Sequence, residues 1–169
     1  MTTQTLESTE LSLERVIEIA RSINTGMLVT DSSDGFRSRP MSVAEVTDDG
    51  ELWFLTSLSS PKIEELTRNP HVVVVLSSSG KFLSLTGTAS LERDPVKTRS
   101  LWSEAYRVWF KDERDPDLVL LRVDPTWAEY WDQSGWNGLK YAARAAKAYV
   151  KGEQLRDTDD VRTHAKVRL

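Results

Sequence analysis

Cysteine is absent from these 169 residues, and histidine occurs only at positions 71 and 164. The first absence excludes disulfides, thiolate catalysis and cysteine metal sites. Two histidines are too few for a histidine-rich metal cluster, so no metal is expected, and they leave no credible Ser-His-Asp arrangement. There is no glycine-rich dinucleotide loop, no P-loop motif and no internal repeat. No apolar run approaches the roughly 20 residues of a membrane span. The N-terminus, MTTQTLESTELSLERV, has neither a basic n-region nor an apolar h-region, so no signal peptide is read there. Positive charge is not in excess either. Lys and Arg number 22 against 26 Asp and Glu, for a net charge of −4 and a pI near 5.3. That balance argues against nucleic acid or an anionic membrane as partner. The expectation is a soluble cytoplasmic protein: residues 1–10 a flexible N-terminus, 11–151 one domain, 152–169 a charged C-terminal tail.

What is present begins with the stretch from Phe36 to Lys62. Two strand-like runs, Phe36–Thr47 and Glu51–Ser57, flank the turn Asp48-Asp49-Gly50, a strong short-range hairpin signal. In the first run Arg37, Arg39, Met41 and Val43 share one face, while Ser38, Pro40, Ser42 and Ala44 share the other. Pro40 cannot donate to a ladder and belongs at an edge or a bulge. The second run ends in Thr56-Ser57, and Ser60-Pro61-Lys62 then opens a helix, with Ser60 as its expected N-cap. Hydroxyls, free N–H groups and Lys62 thus gather at one point, and Arg39 offers a second cation across the hairpin. These are the ingredients of a phosphate site. The alternative is a capped surface helix with two solvated basic side chains.

Along the rest of the chain, helical spacing predicts a helix from about Leu13 to Asn24 with Ser12 as N-cap. Strands are expected over Met27–Asp31, His71–Leu76 (a buried central strand), Lys81–Leu91 with a bend or bulge at Gly87, Asp117–Asp124 and Trp127–Asp132. Further helices are expected over Pro61–Arg68, from Asp94-Pro95 to about Phe110, and over Gly138–Lys151. Leu101, Ala105, Val108 and Trp109 form the apolar side of the second of these, with Trp102 beside them. The tail from Gly152 is either disordered or pinned by Val167 and Leu169. Consecutive, hairpin-linked strands with helices at the edges imply an α+β fold with an antiparallel sheet, closed as a small barrel.

These residues resemble a known family. Arg39-Pro40-Met41, Trp53-Phe54-Leu55-Thr56-Ser57, Ser60-Pro61-Lys62, Trp109-Phe110, the run Asp115–Val123 and Ala128-Glu129-Tyr130-Trp131-Asp132 follow one another as in the flavin-binding split-barrel proteins related to pyridoxamine 5′-phosphate oxidase. The match is to their general stress protein 26-like branch. The resemblance implies a six-stranded antiparallel split β-barrel of Greek-key type with peripheral helices. It implies a homodimer with FMN in two clefts at the interface. Carried over by position, Arg39 and Lys62 hold the FMN phosphate with help from Ser60 and the Thr56-Ser57 segment, and Leu55 is a further cofactor-binding residue. Arg39, Pro40, Met41 and Ser42 line the isoalloxazine ring, and Trp131 reaches the flavin from the partner chain. Trp102, Trp109 and Phe110 make the substrate pocket. Three departures matter. Pro61 stands where the oxidase has an arginine. Gln133–Lys140 lacks the oxidase's Arg-x-His pair, and Lys111-Asp112-Glu113 replaces a Pro and Gly loop.

The implied activity is an FMN-dependent oxidoreductase using a small-molecule substrate or a nicotinamide donor, and not pyridoxamine 5′-phosphate oxidation itself. Other readings are a non-catalytic flavin-binding stress or sensor protein, or an F420-dependent reductase. A haem-handling relative ranks below these, because His71 and His164 lack an axial context.

Overall fold

The computed structural model describes residues 3–133 and 164–169, together with Ala143 and Lys147, and side chains from Ser12 onward. Its elements are α1 (Thr3–Arg21), β1 (Thr25–Ser32), β2 (Gly35–Ser42), β3 (Glu45–Val46), β4 (Leu52–Ser57), α2 (Lys62–Arg68), β5 (His71–Ser78), β6 (Lys81–Glu92), α3 (Pro95–Leu101), a 3-10 turn (Glu104–Val108), β7 (Leu118–Asp132) and β8 (His164–Arg168). The class is α+β with an antiparallel sheet, as expected.

The strands form one path, β2-β1-β5-β6-β7-β4-β3, with β8 added to β7. The two ends of that path, β2 and β3, are separated in the chain only by Val43 and Ala44. A sheet whose ends lie so close must curl round on itself, and its seam falls between β2 and β4. The link is stitched on both sides: Val43 N donates to Asn24 O (2.9 Å) and Ala44 N to Trp53 O (2.8 Å).

Eight strands form among the described residues, where the resemblance implied six. The expected run Phe36–Thr47 breaks at Val43 because its halves take different partners: β2 pairs with β1, and β3 with β4. The other addition comes from the far end of the chain. Val167 is buried and packs in the core, so the last residues pin the terminus. The helix 138–151 lies outside the described residues apart from Ala143 and Lys147, both helical.

Local chemistry accounts for most boundaries. In β6 the register against β7 shifts between Thr86 and Gly87. A Cβ at Gly87 would meet Asp124 O at 2.2 Å, so the bulge expected there requires glycine. At the amino end α1 starts at Thr3, which places Ser12 inside the helix rather than at its cap. The long helix expected from Pro95 to Phe110 divides at Trp102-Ser103. Asp94 caps α3 by accepting from Val96 N and Lys97 N, and Ser103 caps a second, tighter turn by accepting from Ala105 N. Its expected apolar side does not form a buried face, for Ala105, Val108 and Trp109 are exposed. The strand HVVVVL is central in the sheet but buried on one face only: Val72, Val74 and Leu76 point inward, whereas Val75 is 37% exposed.

The main core fills the curl of the sheet and the α1 interface, with Ile19, Leu28, Phe54, Leu76, Leu85 and Leu121 among its members. A second, smaller cluster of Trp53, Leu55, Phe110, Leu118 and Leu120 lies on the other face of β4. Strand β4 is therefore buried on both faces, which explains the unbroken apolar run Leu52–Leu55. The same arrangement places the segment after α3 alongside the seam.

Candidate functional site

The seam opens into a cleft of about 510 Å³, lined from β2 by Arg39, Pro40, Met41 and Ser42. Leu55, Thr56 and Ser57 line it from the end of β4, with Ser60 and Lys62 from the following loop and helix start. Tyr106, Trp109 and Phe110 form the outer wall. Cavities of this size suit small organic ligands and cofactors. A shallower shelf of about 570 Å³ adjoins it at Ser60, and its only cationic lining residue, Arg68, donates to Asp31 O. The seam cleft, with two cations and an aromatic wall, is the better formed site.

The cleft is polar at one end. Lys62 is buried, and its Nζ donates to Thr56 Oγ1 (2.8 Å) and Ser60 Oγ (2.6 Å). It forms no ion pair with any described carboxylate. Burial lowers its pKa from the ordinary lysine value, and Arg39 lowers it further, with Glu65 pulling the other way. An ammonium in such surroundings keeps one N–H and its whole charge for an anion. Ser60 does not cap α2 with its side chain as expected. The N-cap is Pro61, with no side-chain cap bond, because the Ser60 hydroxyl is taken by Lys62.

Arg39 is anchored behind the cleft. Its Nη2 donates to Glu65 Oε2 at 2.7 Å, its Nη1 donates to Thr30 Oγ1, and Thr30 Oγ1 donates to Glu65 Oε2 at 2.6 Å. Burial pushes the Glu65 carboxyl up, but the Thr30 hydrogen bond and the guanidiniums of Arg39 and Arg37 outweigh it. The carboxyl ends below its usual range. Ser57 is engaged elsewhere, donating to Asp117, which also accepts from Ser59 N at 3.0 Å. The hydrogen bond from Ser57 is the main reason that Asp117 lies below the usual carboxylate range.

At the other end the cleft is apolar. Pro40, Met41, Leu55, Trp109 and Phe110 present flat or aliphatic surface, and Trp109 is 67% exposed at the rim. Burial raises the Tyr106 phenol, so it stays protonated at neutral pH. A site with cations and hydroxyls at one end and aromatic surface at the other suits a planar ligand carrying an anionic tail.

Of the residues picked out in the sequence, Arg39, Pro40, Met41, Ser42, Leu55, Thr56, Ser57, Ser60, Lys62, Trp109 and Phe110 meet in this one cleft. Trp102 does not join them. It packs on the second cluster, with its ring 5.9 Å from that of Tyr106. Trp131 is also outside the cleft of its own chain. It lies on β7, stacked on His164 at 5.2 Å, while Glu129 beside it faces His164 Nε2 at 3.1 Å. Tyr106 was missed in the sequence. Its signal was the aromatic three positions before Trp109, hidden by the assumption of one continuous helix. Glu65 and Thr30 carried no signal as site residues, since each reads as an ordinary polar position of its element.

The family described as pyridoxamine 5′-phosphate oxidase like matches residues 12–156. The chain belongs to that family. Among its relatives, General stress protein 26 of Bacillus subtilis (strain 168) is 25% identical over 117 residues, covering 66% of this chain and 82% of the relative. The crystal structure of General Stress Protein 26 from Bacillus anthracis str. Sterne superposes with a TM-score of 0.65 at 28% identity, covering 70% of this chain and 92% of that one. The general stress FMN/FAD binding protein from Xanthomonas citri superposes with a TM-score of 0.63 at 30% identity, covering 75% and 91%. Membership in the family agrees with the curled antiparallel sheet split along one seam. No helix among the described residues is long and apolar enough to cross a membrane.

Proposed function

We propose that this chain binds FMN in the seam cleft and serves as a flavin-dependent oxidoreductase for a small flat substrate. The observation that carries this reading is Lys62: a buried ammonium, beside a guanidinium, with no carboxylate bound to it. Burying a charge without a counterion is costly, so the arrangement calls for an anion. The donor set fits a phosphate monoester. Lys62 and Arg39 supply charge, and Thr56 and Ser60 hold the ammonium in place. The apolar end fits the ring of a flavin, with Pro40 and Met41 along it and Trp109 at its rim. When bound, the flavin supplies hydride transfer, and the protein supplies binding, orientation and electrostatics. The aromatic wall excludes water from the ring, and the protonated Tyr106 phenol offers a hydrogen-bond donor at that wall. A Xanthomonas citri relative is named as an FMN/FAD binding protein, which supports a flavin as the ligand.

A homodimer belongs to this reading. Pro40, Met27, Val75, Ser84 and Glu129 stand in register across five strands. That row spans four strand spacings, on the order of 19 Å. Met27, Val75 and Phe82 on this face are each more than a third exposed. A second copy covering the face would bury this apolar surface and bring its own Trp131 towards the first copy's cleft.

One observation favours a flavin holder without turnover: the residues lining the cleft include no carboxylate and no histidine. Two measurements decide. Purified protein should show flavin absorption bands near about 370 and 450 nm, and FMN should bind far more tightly than riboflavin, which lacks the phosphate. A colourless protein that takes up neither would end the reading. Stopped-flow reduction by NADH or NADPH then separates an oxidoreductase, whose bands bleach, from a holder, whose bands persist. Light scattering that reports a monomer with flavin bound would remove the shared-cleft dimer.

A further inference from the structure

We propose that Glu65 is the positioning residue of the anion-binding, cationic end of the cleft: its buried carboxylate fixes the Arg39 guanidinium for the ligand phosphate and leaves Lys62 free to meet the same group. The proposal rests on the flavin reading above.

Glu65 has two cations within reach of its element. Lys62 lies three positions before it on α2, a spacing at which helical side chains of opposite charge commonly pair. The carboxylate does not take that partner. It turns to Arg39 on β2 and to Thr30 on β1, while Lys62 turns to two hydroxyls. Thr30 is 1% exposed and Glu65 is 6% exposed, so neither can swing away into solvent. Arg39 is therefore gripped at both terminal nitrogens by groups from two other elements. A guanidinium carries five N–H donors, of which these bonds use two. Arg39 is also one of the residues that line the cleft. The result is a preorganised cation, whose rotamer entropy is already lost before a ligand arrives.

The arrangement also sets the charge of the site. Arg39 and Lys62 contribute two positive charges and Glu65 removes one. Two effects of neutralising Glu65 therefore oppose each other. A stronger net field would tighten phosphate binding, whereas a loosened guanidinium would weaken it. If positioning is the role, the second effect wins.

The test compares the full-length parent with Glu65→Gln and Thr30→Val by equilibrium titration with FMN and with riboflavin, each checked for cooperative melting. Glu65→Gln keeps the shape and removes the charge. Thr30→Val keeps the carboxylate and removes one of its anchors. The expected result is a Kd for FMN raised about tenfold in Glu65→Gln and about threefold in Thr30→Val, with riboflavin affinity within about twofold of the parent. FMN binding that is unchanged or tighter in Glu65→Gln would show a mere counter-charge and overturn the proposal. Equal losses for FMN and riboflavin would show a general structural role and overturn it as well. Should Glu65→Gln fail to melt cooperatively, Thr30→Val decides alone through its ratio of FMN to riboflavin affinity. A parent that binds neither flavin overturns the flavin reading and this proposal with it. A parent that binds FMN beside variants that bind it equally well overturns this proposal only.

Discussion

The wall behind the seam cleft and the outer surface of β7 and β8 each set a carboxylate against basic side chains, and the two carboxylates differ in burial. Behind the cleft, Glu65 and Arg39 side chains are 8% and 21% exposed, and their bond is 2.7 Å long. On the outer surface, Glu129 is 24% exposed and faces His164 Nε2 at 3.1 Å and Lys166 Nζ at 3.5 Å, the latter side chain 59% exposed. The Glu65 carboxylate is the more sheltered of the two, and Lys166 is open to solvent, although His164 is only 13% exposed. Bonds of similar length therefore carry different weight: at the surface about 0–1 kcal/mol, and in the interior several kcal/mol if one partner is removed. The comparison also separates two cations that line the cleft. Arg39 is paired with Glu65, so the fold holds it, whereas Lys62 is buried on two hydroxyls without an ion-pair partner among the described residues.

The sharpest way to break this comparison is Arg39→Met. It strands the Glu65 carboxylate in the interior, and unfolding by urea should show a loss of about 3 kcal/mol, the lower end for a broken buried pair because Arg39 keeps some solvent contact. A loss under about 1 kcal/mol would place the pair with the surface group. Lys62→Met should act in the opposite sense on the empty protein. Removing a buried charge that has no direct ion-pair partner should raise stability by about 1 kcal/mol, while FMN binding weakens by about 1.5–3 kcal/mol and riboflavin binding stays level. A variant that loses both stability and riboflavin affinity would mean that Lys62 is structural.

Acid pH tests the same pair without mutation. Burial pushes the Glu65 carboxyl up, but the Thr30 hydrogen bond and the Arg39 guanidinium hold its folded-state pKa below the ordinary value of 4.5. Its contribution is therefore complete above the unfolded value, and it is lost as pH falls through the folded value. Stability of the parent should decline across that acid window more steeply than that of Glu65→Gln, and parallel curves would argue against it. Lys62 works the other way at alkaline pH. Burial holds its folded pKa below the ordinary lysine value of 10.5, so the cost of burying its charge is relieved as pH rises through the folded value. The smallest effect is expected on the outer surface. Glu129→Gln should change stability by no more than about 0.5–1 kcal/mol in low salt and less in high salt. A larger, salt-insensitive loss would show that β8 depends on that carboxylate.

Much of the cleft was legible because it is built from two short stretches, 39–42 and 55–62, each with its own local signals. Alternation placed Arg39 and Met41 on one face of β2, and the structure agrees in burying Met41 and half-burying Arg39. Alternation also put Tyr130 and Asp132 opposite Glu129 and Trp131, and the first pair is buried. What escaped was the choice of partners. The turn Asp48-Asp49-Gly50 exists, with Thr47 N bonded to Glu51 O at 3.0 Å, but it joins β4 to the two-residue β3 and not to the whole run that carries Arg39. Pairing that run with β1 is what brings Thr30 beside Arg39, and no pattern in either strand announces it. The broken helix before Trp109 likewise hid Tyr106, since Ser103 reads equally well as a helix interior and as a cap.

The sequence by itself determined much of the chemistry available to this protein: no thiol, too few histidines for a histidine-rich metal cluster, and two basic residues with several hydroxyls near a helix start. It also determined the class, because alternation, turn residues and caps act over a few positions and are written in the chain directly. Only the tertiary structure decided how each charge is spent. Glu65 could have neutralised Lys62 on its own helix, and instead the register of β2 on β1 delivers Arg39 and Thr30 to it. That outcome depends on burial and on distances between elements far apart in the chain. These quantities set whether a buried charge is held in an ion pair, as Arg39 is, or rests on hydroxyls alone, as Lys62 does.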